Sequence, residues 1–282
     1  MRKAPAPMAD SRFDTRWRVI SASVAGPNHT SLGIENQDSL RQGAVGDGLH
    51  LLAVADGAGS QPRSAHGSRL SVEAAWEAAD HVFARVPRTL GQWHEATARY
   101  AQACLDQFDE LVERAITPLR NRPTATGVST VSRAEFATTL LAIVADPPYF
   151  AYVCVGDGFL VMERAPGGSH LVIPPPTGRQ TANETVFMTS AGRRDDLRSG
   201  LIVDTGARGL ALCTDGLIDG MLDVSRGPDG IAYPCAPADF DAYFAAFRMP
   251  GVDGSELSRK LQSKEFAASS GDDKTMLMAV HR

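Results

Sequence analysis

The sequence has little of what marks several large classes of protein. Its four cysteines are scattered without CxxC spacing, and three lie in apolar stretches, which is typical of buried thiols in a reducing compartment. No apolar run approaches the roughly 20 residues that a membrane-spanning helix needs. The net charge of −5 gives no reason to expect a nucleic-acid partner, which usually binds a basic face. We therefore expect a cytoplasmic protein without membrane or nucleic-acid partners.

The N-terminal segment also lacks the apolar stretch of a secretory signal. It begins with the basic residues Arg2 and Lys3, and no hydrophobic run follows them, so residues 1–15 are predicted to be a disordered leader. The composition, 43% hydrophobic and 22% charged, is typical of a globular protein. Because no repeat and no long linker divides the chain, residues 16–282 are predicted to form a single domain.

The stretch from Leu51 to Gly59 is predicted to be a buried strand that ends on a carboxylate. Asp56 follows an apolar run, and the two glycines after it let the backbone turn sharply. Mg²⁺ and Mn²⁺ prefer oxygen ligands, and Gly57 would let a main-chain oxygen approach such an ion. The alternative is that Asp56 only caps a turn, because Asp-Gly pairs are common in turns. The metal interpretation requires further ligands elsewhere in the chain, whereas the turn interpretation does not.

Hydrophobic patterns along the chain predict an α+β fold with segregated elements. Most simply, two antiparallel sheets pack together with helices outside them. The predicted strands lie at 17–26, near 39–43, up to Asp56, on both sides of Pro147-Pro148, at 170–174, within 201–215 and after Asp272. The predicted helices lie at 64–86, 92–116, 239–247 and 255–268. Residues 27–38 and 225–238 are predicted to be loops, and about 174–200 a long polar excursion.

Several acids sit where predicted strands begin or end beside small residues. A carboxylate at the end of an apolar strand is costly unless something pairs with it, and few basic residues lie nearby. Metal ions therefore explain the set better than salt bridges do, although each acid alone is more simply a solvated turn residue. The set consists of Asp38, Asp56, Asp215 and Asp272, with Asp157 between two glycines and Asp219 one helical turn after Asp215.

Two other charge patterns are assigned to solvent. One helix face carries acids, and a basic pair in the excursion is followed at once by two acids that would neutralise it. These are Asp106, Asp109, Glu110 and Glu113 on the helix, and Arg193-Arg194 before Asp195-Asp196.

The ordered motifs resemble those of the metal-dependent protein phosphatases, the type 2C Ser/Thr phosphatases, and most closely their bacterial-type branch. Each motif is short and weak alone, but together they follow the family's order over almost the whole chain from about Trp17. The motifs are Glu35-Asn36-Gln37-Asp38, Val54-Ala55-Asp56-Gly57-Ala58-Gly59, Ala137-Thr138-Thr139-Leu140, Gly156-Asp157-Gly158, Cys213-Thr214-Asp215-Gly216-Leu217 and Gly271-Asp272-Asp273-Lys274-Thr275. The segment Ala182-Asn183-Glu184-Thr185 also looks like this branch.

The resemblance implies a four-layer α-β-β-α sandwich with a metal centre at one edge. It implies that Asp56 bridges two Mn²⁺ or Mg²⁺ ions and that the Gly57 carbonyl binds the second. Asp215 and Asp272 would hold the first ion, and Asp38 would orient the attacking water. Two such ions lower the pKa of a bridging water and neutralise the phosphoryl oxygens.

The resemblance also implies features around this centre. Asp157 and Asp219, with Asp215, match positions linked to a third, weaker metal site. The excursion at about 174–200 corresponds to the flap beside the active site. The implied substrate is a phosphorylated protein, and the implied opposing enzyme is a Ser/Thr kinase.

The sequence departs from the family at positions that contact substrate in other members. Gln37 replaces a glutamate, which should weaken the second ion without abolishing it. Gly33 stands where many members have a phosphate-binding arginine, and Ala58 where others have a histidine proposed as general acid. His29 is a candidate replacement, as phosphate donor or general acid, because histidine titrates near neutral pH. The alternatives are that His29 is a surface residue that caps a turn, and that His66 or water delivers the proton.

The sequence thus predicts a phosphoserine/phosphothreonine protein phosphatase that acts through a metal-activated hydroxide. Two alternatives stay open. The lost arginine, Gln37 and Ala58 would suit a pseudophosphatase that serves as a regulatory binding module. The same metal site would also suit a hydrolase of small phosphoesters.

Overall fold

Two five-stranded antiparallel sheets lie at the centre of the molecule. A computed structural model describes residues 16–120, 123–124, 127–128, 131–176, 185–228 and 230–282. The main strands are β1 Trp17–Val24, β2 Ser39–Val45, β3 Leu49–Ala55, β4 Leu140–Asp146, β5 Tyr149–Val155, β6 Phe159–Arg164, β7 Gly168–Ile173, β8 Arg198–Val203, β9 Ala207–Cys213 and β10 Lys274–His281. The first sheet has the strand order β1-β10-β9-β6-β7, and the second has β8-β5-β4-β3-β2.

Helices cover the outer face of each sheet. The helices of the described residues are α1 Pro27–Leu32, α2 Ser64–Val82, α3 Leu90–Ile116, α4 Ile218–Met221, α5 Phe240–Arg248, α6 Gly254–Leu261 and α7 Lys264–Ser269, with 3₁₀ turns at Arg133–Phe136 and Asp215–Leu217, and α1 does not join a sheet face. Helices α2 and α3 share a core with the second sheet, and α5 to α7 share one with the first. The predicted four-layer α-β-β-α sandwich is therefore confirmed.

Strand β3 is packed on both of its faces, which fixes the position of Asp56. Its residues are all buried, and alternate side chains point to opposite faces of a strand. Leu51 and Ala53 join the core under α2 and α3, while Leu52 and Val54 join the core between the two sheets. A strand packed on both faces has little freedom to slide, so the residue that follows it, Asp56, has a fixed place.

Three segments differ from their predicted structure. Residues 27–32 form α1, because Pro27 suits the first helical turn and Gly33 ends the helix with a left-handed φ of 66°. The predicted loop at 225–238 instead contains an antiparallel pair of strands, Asp223–Arg226 and Ala232–Cys235. The predicted helix at 255–268 is broken into α6 and α7, where the Ser263 hydroxyl accepts a hydrogen bond from the N–H of Phe266.

The acidic face of α3 lies largely in solvent, as predicted, since Asp106, Glu110 and Glu113 are exposed, but two of its acids also pair with basic residues from other segments. Asp109 pairs with Arg133 and lies 2.6 Å from Arg193 Nη2, and Asp106 lies 3.0 Å from Arg194 Nη2. The basic pair therefore has acidic partners on α3. These contacts fasten the C-terminal part of the predicted flap to α3.

Two predicted features lie wholly or partly outside the described residues. They are the leader at residues 1–15 and residues 177–184 of the flap. Among the helices that are described, none has the length and apolar character needed to cross a membrane.

Candidate metal centre

One edge of the second sheet brings the first two acids together. Asp38 lies directly before β2, and Asp56 directly after β3. These strands pair antiparallel with Ser39 opposite Ala55. The register therefore puts the two carboxylates side by side at the same end of the pair.

The first sheet supplies the next two acids in the same way. Asp215 follows the end of β9, and Asp272 precedes the start of β10, while β9 and β10 pair antiparallel. Thr214 connects the two sheets at this point, because its Oγ1 donates to Asp38 Oδ2 at 2.8 Å and its N–H donates to the Thr275 carbonyl at 3.1 Å. The four acids thus meet where the corresponding ends of the two sheets face each other.

Burial and mutual repulsion raise the pKa values of three of these acids, Asp38, Asp56 and Asp215. Burial is the main reason that the pKa of Asp38 rises to about 6. Burial, followed by the charges of Asp38 and Asp215, raises the pKa of Asp56 well above its ordinary value. Burial, followed by the charges of Asp157 and Asp272, raises the pKa of Asp215 to about 8. With a pKa of about 8, Asp215 retains its proton near neutral pH unless a cation neutralises it.

The donor set fits a hard divalent cation. Asp38 Oδ1, Gln37 Oε1 and Asp157 Oδ1 are buried and make no hydrogen bond with any described residue. Buried polar atoms of this kind call for a bound ion or water. The ammonium group of Lys274 donates to main-chain carbonyls, including that of Asp272 at 2.8 Å, and not to a carboxylate of the cluster. Carboxylate and amide oxygens in excess of cations are a site for Mg²⁺ or Mn²⁺.

The backbone at Asp56 is fixed by two threonines of the segment before β4. The Asp56 N–H donates to Thr139 Oγ1 at 2.9 Å, and the Asp56 carbonyl accepts from Thr138 Oγ1 at 2.7 Å and from the Thr139 N–H at 2.8 Å. The residue's own main-chain groups are thus satisfied, which leaves its carboxylate free to serve the cluster. Thr138 and Thr139 therefore form hydrogen bonds beside the site.

Gly57 is a position where a side chain does not fit. A Cβ there would lie 2.7 Å from the Ser64 carbonyl oxygen and 2.8 Å from the Gln37 carbonyl oxygen. We expect Gly57→Ala to lower Mn²⁺ affinity at least about 10-fold and the free energy of unfolding by roughly 1–3 kcal/mol, because the backbone must shift. Calorimetric Mn²⁺ titration and thermal unfolding measure both.

Gly91→Ala is the matched control, since a Cβ there would meet no atom within 4 Å. Unchanged Mn²⁺ affinity in Gly57→Ala would contradict the placement of the ion beside this carbonyl.

The remaining two predicted metal ligands differ in their surroundings. Asp157 lies in the turn between β5 and β6, and its charge raises the pKa of Asp215. Thr185 Oγ1, at the described end of the flap, donates to Asp157 Oδ2 at 2.6 Å. Asp219 is exposed on α4. A third metal site formed by these acids stays a prediction.

The positions that depart from the family pattern lie on and around α1. His29 is on α1, and its Nδ1 lies 2.9 Å from Asp273 Oδ1. Gly33 caps the same helix, and Ala58 is buried beyond β3. His66 is on α2 with its ring 5.4 Å from that of Phe136, as expected of an ordinary helix residue.

Asp273 had no predicted role, although it lies in one of the ordered motifs. Asp273 is buried and accepts from the N–H groups of Gly26 and Gln37 at 2.8 and 2.6 Å. The sequence signal for a separate role of Asp273 was the pair of adjacent acids before a strand, because neighbouring side chains in a strand point in opposite directions. One acid of the pair, Asp272, faces outward to the cluster, and the other faces inward.

Together, the fold and the site define a class of protein: an α-β-β-α sandwich whose carboxylates lie between the ends of its two sheets. The protein phosphatase 2C family profile matches residues 25–263. The chain belongs to the protein phosphatase 2C family, as its motifs predicted.

Several named phosphatases are similar to this chain in sequence or in fold. Serine/threonine-protein phosphatase 3 of Escherichia coli (strain K12) is 28% identical over 94% of this chain and 98% of its own. The serine/threonine phosphatase Stp1 from Staphylococcus aureus superposes with a TM-score of 0.61 at 12% identity, over 99% of this chain and 100% of its own. The catalytic domain of the phosphatase PstP, solved with two manganese ions, gives a TM-score of 0.56 at 20% identity, over 94% and 98% of the chains.

Proposed function

We propose that this chain is a divalent-metal-dependent phosphatase that removes phosphate from phosphoserine and phosphothreonine in proteins. The observation that carries the proposal is the cluster of Asp38, Asp56, Asp215 and Asp272, whose repulsion calls for cations. Family membership and the name of the E. coli relative support the reaction and the substrate class. Residues 16–282 act as one catalytic domain, with the flap at about 174–200 beside the site.

Two Mn²⁺ or Mg²⁺ ions would be held by the predicted ligands. Asp56 and the Gly57 carbonyl would serve one ion, and Asp56, Asp215 and Asp272 the other, in line with the two manganese ions of the PstP structure. Asp157 and Asp219 are candidates for a third. When bound, such ions neutralise phosphoryl oxygens and lower the pKa of water.

The chain's own residues position the reactants. Asp38, fixed by the Thr214 hydroxyl, has its second oxygen without a partner among the described residues, and this oxygen would accept a hydrogen bond from the attacking water. Gln37 offers a neutral oxygen where an anion would bind a cation more tightly. His29, on α1, would donate to the substrate.

The expected partner is a protein phosphorylated by a Ser/Thr kinase. We further propose a cytoplasmic location, since the four cysteines are free thiols. Burial also raises the pKa of the Cys104 thiol to about 12. A thiol of this kind does not act as a nucleophile.

A substrate panel tests the proposed function. The purified full chain with Mn²⁺ should release phosphate from phosphoserine and phosphothreonine peptides with a kcat/KM at least about 10-fold above that for sugar phosphates and nucleoside monophosphates. The reverse preference would favour a small-molecule phosphoesterase. No turnover of any substrate, together with weak Mn²⁺ binding, would favour the pseudophosphatase.

A further inference from the structure

Asp273 is a buried carboxylate outside the predicted metal ligands. Its Oδ1 accepts from the Gly26 N–H at 2.8 Å, and its Oδ2 accepts from the Gln37 N–H at 2.6 Å. It therefore holds both ends of the segment that runs from β1 through α1 to Asp38. A buried charge with defined amide donors is a fixed structural point.

The same carboxylate contacts His29. The distance from His29 Nδ1 to Asp273 Oδ1 is 2.9 Å, and the His29 side chain is only 12% exposed. The contact has ion-pair distance but not the angle of a regular hydrogen bond. Catalytic hydrogen bonds often have loose geometry before substrate binds.

The other nitrogen of His29 faces the loop after Asp56. A Cβ placed on Gly59 would lie 4.0 Å from His29 Nε2 and 3.9 Å from Gln37 Oε1. With Nδ1 beside Asp273, Nε2 lies near Gly59, on the same side of that glycine's backbone as Gln37 Oε1.

Close packing keeps α1 in this position. A Cβ on Gly26 would lie 2.2 Å from the Asp272 carbonyl oxygen, and one on Gly271 would lie 2.3 Å from Asn28 Nδ2. The Asn28 N–H also donates to the Gly271 carbonyl at 3.0 Å. The segment before His29 therefore rests directly on the loop that carries Asp272 and Asp273.

A cation held by His29, Asp272 and Asp273 is the competing interpretation. One potential ligand atom from each lies within 4.8 Å of the others. However, both oxygens of Asp273 already accept main-chain N–H groups, and a donor ring nitrogen suits the same oxygen. The contacts favour a carboxylate–histidine pair.

We propose that Asp273 is a positioning residue that orients His29, and that His29 Nε2 protonates the leaving oxygen of phosphoserine or phosphothreonine. This inference rests on the proposed function. The oxygen of water bonds to phosphorus and water releases one proton to solvent, while the bond between phosphorus and the side-chain oxygen breaks. The electron pair stays on that oxygen, which takes the proton from Nε2, while Nδ1 keeps its proton toward Asp273. His29 then regains a proton from solvent.

Leaving-group dependence tests this role. Serine and threonine oxygens are poor leaving groups that need a proton, whereas p-nitrophenolate leaves without one. His29→Gln should lower kcat on a phosphothreonine peptide by about 10²-fold, and the loss on p-nitrophenyl phosphate should be at least about 20-fold smaller. Asp273→Asn should show the same selective loss, between about 10-fold and 10²-fold.

A double variant separates positioning from general destabilisation. If Asp273 acts through His29, His29→Gln with Asp273→Asn should lose no more peptide activity than His29→Gln alone. His66→Gln is the matched histidine control and should stay within about 2-fold of the wild type. Calorimetric Mn²⁺ titration of each variant should match the wild type.

Equal losses on both substrates, losses that multiply in the double variant, or weaker Mn²⁺ binding in both single variants would each overturn the inference. Failure of the wild type to hydrolyse either substrate would instead overturn the proposed function.

Discussion

Replacing Asp56 with asparagine should lower Mn²⁺-dependent hydrolysis of a phosphothreonine peptide by on the order of 10³-fold or more, equivalent to about 4 kcal/mol of activation free energy. Asparagine keeps the shape and the hydrogen bonds of the Asp56 main chain but removes the charge at the centre of the cluster. Asp215 and Asp272 then lose the group with which they would share a cation. Initial rates at saturating Mn²⁺ measure the effect.

The other end of the same strand offers a matched control. Asp47 also precedes a glycine, but it is exposed in the turn between β2 and β3 and lies at the opposite end of β3 from Asp56. We expect Asp47→Asn to retain activity within about 2-fold. If Asp56→Asn kept half of the wild-type rate, the carboxylate cluster could not be the catalytic centre.

The second large effect concerns the metal-free protein, which should lose stability as pH rises. The pKa of Asp38 is raised to about 6 and that of Asp215 to about 8 in the folded state. The folded state thus binds more protons than the unfolded state, whose aspartates titrate near 3.9. The stabilising effect is complete below about pH 4 and is lost as pH rises past 6 and then 8, for a total of a few kcal/mol.

Melting temperatures from pH 5 to pH 9 measure this effect, once with a chelator and once with Mn²⁺. Added Mn²⁺ should stabilise the protein most at high pH, where the ionised carboxylates bind it. Asp215→Asn should flatten the pH dependence of the chelated protein. A chelated wild type whose melting temperature stays level between pH 5 and pH 9 would contradict the raised pKa values.

Much of the site could be predicted because its residues lie at the ends of strands. Asp56 and Asp215 each follow an apolar strand and precede a glycine, which is visible in the sequence. Antiparallel pairing then puts Asp38 beside Asp56 and Asp215 near Asp272. The fold could be predicted from the ordered motifs, because they indicated the family along almost the whole chain.

Contacts between distant segments could not be predicted. The pairing of Arg193 with Asp109 joins residues 84 positions apart, and local acids in the sequence gave a simpler partner. The link between His29 and Asp273 spans almost the whole chain. Helix α1 was missed because six residues are too few to show a hydrophobic period, and none of its residues is buried.

The central claim is that the acids between the two sheet ends hold the divalent cations that catalysis needs. The most direct measurement is the rate of phosphate release from a phosphothreonine peptide by chelator-treated full chain as Mn²⁺ is added back. The account predicts a negligible rate without metal and a saturable rise with Mn²⁺ that Asp56→Asn lacks. An undiminished rate in excess chelator, or the same rise in Asp56→Asn, would contradict it.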